Sequence, residues 1–157
     1  LELFITKRLT AEIDAETFKE LLDSPFKDGG LGLWKSRAEK VSETIEELIR
    51  KRQTIGDLYT ELEKHPELPL YEEIVQMRSW LLEGYHKDLA EVQRIRLDEA
   101  VEDRIRNIIS REDFRKVLEL SRDDFGVGLA TSIARNVSER LEATLVGKKF
   151  MPTIKTL

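Results

Sequence analysis

There is no cysteine in this chain, which excludes disulfides, thiol nucleophiles and thiolate-ligated metal. Histidine occurs twice, at His65 and His86, so nucleophile–base pairs have little to draw on. Aromatic residues make up only 7%. No apolar run approaches the ~20 residues that a membrane-spanning helix needs, and no segment has the build of a signal peptide. Nor is there an excess of positive charge. The formal net charge of −5 disfavours a dedicated surface for nucleic acid or anionic membrane.

What is present suits helices. Charged residues reach 36% and apolar residues 40%, more apolar content than a disordered chain carries. A length of 157 residues gives one domain able to bury a core without staples. Surface Glu, Lys and Arg at this density are a thermophile habit. The expectation is an intracellular protein. Because the sequence opens on Leu1 and closes on Leu157 in mid-pattern, it reads as part of a longer chain.

Residues 70–109 organise the rest. They contain no proline and one glycine, Gly84. Apolar residues return every three or four positions at Leu70, Ile74, Met77, Leu81, Tyr85, Leu89 and Val92, then at Val101, Ile105 and Ile108. That is the period of a helix with one buried stripe. An unbroken helix over this run would be roughly 60 Å long, so it needs other helices or a partner protein along it; the alternative is a kink at Gly84 that folds the run into a self-sufficient bundle.

Before it, Trp34, Ala38, Val41, Ile45 and Leu48 alternate steps of four and three, and Ile55, Tyr59 and Leu62 resume the register past Arg52. That is a coiled-coil seam over residues 33–64. The two prolines of residues 65–69 reverse the chain. The fold class expected is therefore all-α: an elongated bundle on a long antiparallel αα-hairpin, 33–64 against 70–109, with shorter flanking helices.

Those flanking helices follow from caps and breakers. Residues 1–9 permit a short strand or a frayed helix. Thr10 reads as the N-cap of a helix to Asp23, stopped by Ser24-Pro25 and followed by a glycine-rich loop. Ser110, with Glu112 and Asp113 behind it, caps another helix whose buried side is Phe114, Val117, Leu118 and Phe125. Gly126-Val127-Gly128 breaks it, and a last helix over 129–145 buries Ile133, Ala134, Val137 and Leu141. The organisation expected is a helical domain at 1–145 and a tail or a further segment at 146–157, with no internal repeat.

Little carries chemistry. Glu83 and His86 have the Glu-x-x-His spacing of di-iron bundles, but such sites need the motif twice plus two more glutamates. Gly126-Val127-Gly128 lacks the third glycine of a dinucleotide fingerprint. The expectation is a non-enzyme with no catalytic, cofactor or metal residues and no small-molecule substrate. Between Arg94 and Arg122 eight basic residues stand against seven acids. Pairs such as Arg96–Asp98 and Glu102–Arg106 would neutralise much of that charge. Arginine also makes the planar contacts of protein interfaces. Arg94, Arg96, Leu97 and Arg104 are thus the interface residues expected, with Arg52 on the seam as a fifth. The partners expected are other protein subunits in a homo- or hetero-oligomer, without a membrane, and with nucleic acid met indirectly at most. Trp34, Trp80 and Tyr85 read as core aromatics, an interface anchor being the sharper use of each.

The order of parts resembles the helical domain of the archaeal GINS family: a short helix, a charged helix at 33–64, and a long helix ending in Arg94-Ile95-Arg96-Leu97-Asp98-Glu99-Ala100-Val101, then a short helix capped at Ser110. The match covers residues 10–125, and the small β domain of that family is not visible before Leu157. The resemblance implies a non-catalytic scaffold subunit of the replicative helicase assembly, with Arg94, Arg96 and Leu97 as interface positions. Two alternatives stand beside it: a small helical subunit of another nucleoprotein complex such as an RNA-guided effector, or a helical adaptor or coiled-coil dimerisation protein.

Overall fold

A computed structural model describes residues 1–145; the tail expected at 146–157 lies outside the described residues. Those residues are all-helical, with seven α-helices: α1 (Glu2–Leu9), α2 (Ala15–Asp23), α3 (Lys35–Lys64), α4 (Tyr71–Leu81), α5 (Glu91–Ile105), α6 (Arg111–Glu119) and α7 (Thr131–Leu145). Short 3-10 turns, Phe26–Asp28 and Arg122–Asp124, precede α3 and α7. The chain divides into two compact units, Leu1–Thr54 and Ile55–Leu157.

The 60 Å helix does not form. Residues 70–109 are two helices, α4 and α5, separated by non-helical residues 82–90, so the pair of long helices expected as a hairpin is not made. Gly84 is the cause: it sits at φ +85°, a left-handed conformation open to glycine and closed to a continuing helix. The long helix behind the GINS resemblance, and behind the need for an outside partner along it, is therefore absent. The 33–64 segment keeps closer to expectation, as the 30-residue helix α3.

In the first unit Phe18, Leu22, Ala38 and Ile45 form the buried centre. In the second, Ile55, Leu58 and Leu62 of α3 share one core with Ile74, Met77 and Leu81 of α4, and with side chains of α5, α6 and α7. Leu97, Val101, Ile105, Phe114, Leu118 and Leu141 are fully buried there.

An internal repeat is present after all. The unit α1–α2–start of α3 recurs 96 positions later as α5–α6–α7, without an insertion. Arg8, Phe18, Leu22, Asp28, Gly30, Gly32, Leu33, Ala38, Val41, Ser42, Glu43 and Glu46 return as Arg104, Phe114, Leu118, Asp124, Gly126, Gly128, Leu129, Ala134, Val137, Ser138, Glu139 and Glu142. The bonds recur with the residues. Arg8 grips Glu46 through Nε and Nη2 at 2.7 and 2.9 Å, and Arg104 grips Glu142 at 2.6 and 3.1 Å. Such forked pairs are geometrically specific.

Helix ends also match. The first helix of each copy closes with a Schellman pair: Glu12 N to Lys7 O and Ala11 N to Arg8 O, then Ile108 N to Asp103 O and Asn107 N to Arg104 O. Ala11 and Asn107 both take positive φ, 59° and 60°. Thr10 is thus the end of α1, not the start of α2. The N-cap of α2 is Asp14, accepting from Thr17 N at 2.7 Å, where α6 uses Ser110, accepting from Asp113 N at 3.0 Å.

Two predictions follow from matched positions. Alanine is strained in the left-handed region by about 1–2 kcal/mol, partly offset by the greater chain entropy of glycine; Ala11→Gly should raise stability by about 0.5–1 kcal/mol in urea melts, while Asn107→Ala lowers it. The hydrogen bond from Thr17 holds Asp14 below its ordinary pKa. That stabilisation is present above the ordinary value and lost as pH falls through the lowered one. Acid should therefore speed amide exchange at Thr17 relative to the intrinsic rate and leave Asp113, capped by a hydroxyl, unchanged.

Candidate interaction surface

Between the second and third helices of each copy the backbone makes one tight loop. Leu31 N bonds to Leu21 O, Gly32 N to Ser24 O and Leu33 N to Leu22 O; Val127, Gly128 and Leu129 bond to Val117, Leu120 and Leu118 in the same way. The loop is pressed so close to the preceding helix that a Cβ on Gly30 would stand 2.1 Å from Ser24 O, and one on Gly126 2.1 Å from Leu120 O. Both turns are fixed by packing rather than by solvent.

These fixed loops carry large rings outward. Trp34 is 85% exposed, Phe26 78% and Phe125 81%. Trp34 and Phe125 were expected in the core and are not there. Exposed rings of this size are the anchor type of protein interfaces.

Phe125 is also in an unusual conformation. Its φ is +64°, at the place where the first copy has Gly29 at φ +85°. A bulky side chain there is a genuine outlier and costs of the order of 1–2 kcal/mol. Arg96 supports it from α5: its guanidinium lies 5.7 Å from the ring centroid, and Nη1 donates to Arg122 O at 2.7 Å and Gly126 O at 2.9 Å. Buried Gln93, one turn earlier, donates to Val127 O at 2.8 Å and accepts from Ala90 N. The start of α5 is a clamp on this loop.

The interface residues expected from sequence are thereby redistributed. Leu97 lies wholly inside the core. Arg104 is engaged by Glu142, Asn107 and Ile109 O. Arg96 holds the loop that presents Phe125. Arg94 is exposed on α5, and Arg52 is half-buried on α3 with its pKa lowered by burial. Of the pairs expected, Glu102–Arg106 forms at 3.1 Å, but Asp98 turns from Arg96 to Arg78 on α4. Burial outweighs that partner and raises the Asp98 pKa.

Glu83 and His86 fall in residues 82–90 rather than on a helix. Among the described residues no three His, Asp or Glu side chains gather as a metal-holding group, and no helix is long and apolar enough to cross a membrane. No family, characterised protein or solved structure matches this chain. At helical spacing Trp34 and Phe125 read as core, which hides their exposure. The signal that finds Phe125 is the 96-residue offset, which sets it against Gly29.

Removing the clamp should loosen one loop only. Arg96→Ala, which leaves two carbonyls short of a charged donor, should destabilise the second unit by about 1–3 kcal/mol and speed amide exchange at 126–129. Exchange at 30–33 should not change. Equal acceleration in both loops would contradict the clamp.

Proposed function

We propose that this chain is a non-catalytic helical subunit of a multiprotein assembly, and that the glycine-locked loops bearing Phe26, Trp34 and Phe125 are where it meets other subunits. The strain at Phe125 carries the reading. Glycine serves the same turn in the first copy, so the fold does not need a ring there, yet one is held exposed at a conformational cost with an arginine over it. Strained, exposed positions cluster at functional sites.

The narrower reading, a scaffold subunit in DNA replication, rests on the GINS resemblance over Arg94–Val101 and the Ser110-capped helix. An adaptor, or a small subunit of another nucleoprotein complex, would use the same loops. In each case the partners are protein and any nucleic-acid contact is indirect.

Copurification from the native source, with quantitative mass spectrometry, separates these readings. Phe125→Gly trades relief of strain against a weak cation–π contact and greater chain entropy, so stability should stay within about 1 kcal/mol. Recovery of partner proteins should nevertheless fall about tenfold or more, as for an interface anchor. Undiminished recovery with that variant and with Trp34→Ala means that the loops are not the interface.

A further inference from the structure

The two copies of the repeat are not equally covered. In the second, α4 lies over α5 and α7. Ile74, Met77 and Leu81 share a core with Val101, Ile105, Val137 and Leu145, each of which is buried. Arg78 reaches Asp98 on α5, and Arg140 on α7 donates to Trp80 O at 2.8 Å. In the first copy the same positions are Ile5, Leu9, Val41 and Ile49, all apolar and all only half-buried. Of the α-helices the first unit holds only α1, α2 and the first part of α3, so it has no counterpart of α4 among the described residues. The counterpart of Asp98 is Glu2, exposed on α1.

We infer that the α1–α3 face of the first unit is a docking site for one amphipathic helix of a partner protein, with the chemistry of α4: apolar side chains at i, i+3 and i+7, and an arginine at i+4 that meets Glu2. The internal repeat specifies the occupant, because the same scaffold is already filled by such a helix in the second unit. Apolar residues at four matched positions argue for a helix with an apolar stripe. The acid retained on α1 argues for the arginine. A second copy of this chain does not supply it, since its own α4 is committed to its own core. The α1–α3 face is distinct from the aromatic loops, and helix binding there does not depend on them.

The probe is a synthetic peptide of residues 71–82, stapled across its exposed positions 75 and 79 to hold the helix. It is added to the whole chain with isotope-labelled Ile, Leu and Val methyls. Saturable shifts are expected at Ile5, Leu9, Val41 and Ile49, with Val101, Ile105 and Leu141 unmoved. Glu2→Lys, an exposed change that leaves the fold intact, should weaken binding about three- to fivefold, the scale of a partly exposed ion pair. A peptide carrying Arg78→Glu should recover that loss. The inference is overturned by any of four results: no saturable shift, shifts in the second unit instead, indifference to both charge reversals, or self-association of the chain through the same methyls without peptide.

Discussion

A backbone approach that only glycine allows governs both halves of this protein. At Gly30 and at Gly126 a loop meets the carbonyl end of the preceding helix at a distance that leaves no room for a Cβ. Three backbone hydrogen bonds then lock each loop, and the third helix of each copy starts from that fixed point. Everything displayed on the loops inherits this rigidity. A ring on a mobile loop would lose much of its binding energy to ordering; a ring on a locked one is pre-organised.

On this shared frame the two copies differ in what surrounds them. The second has α4 and residues 55–64 of α3 as cover, and its helices are buried accordingly. The first keeps the forked Arg8–Glu46 pair and the same helix ends, yet its apolar face is only partly hidden. The loops differ too, with Phe26 and Trp34 in one and Phe125 in the other. The repeat thus supplies an internal control: residues that differ yet do the same task, such as Asp14 and Ser110, belong to the shared scaffold, whereas Phe125 stands where the other copy fills the turn with glycine.

Much of the local structure was legible in sequence. The cap at Ser110, the proline turn at 65–69 and the break at Gly126–Gly128 act through short-range chemistry that a reader can apply directly. The break at Gly84 was legible only as the alternative to an unbroken helix, because Leu81, Tyr85 and Leu89 keep helical spacing straight through it. Periodicity records which side is buried, not whether the backbone stays helical. Thr10 misled for a related reason: hydroxyl residues can cap a helix start or close a helix end, and Asp14 makes the stronger start. The repeat escaped because its identities are scattered over a 96-residue offset. Leu97 and Arg104 look like surface contacts in a charged helix, and three-dimensional packing places Leu97 in the core and Arg104 against Glu142.

The two locked loops are the contact surfaces we propose. Hydrogen–deuterium exchange on the chain alone, and on the chain with the partner recovered beside it from the native source, tests this directly. Protection concentrated at residues 24–34 and 120–130 is the result predicted. Unchanged exchange in both loops, with protection confined to other faces, would contradict it.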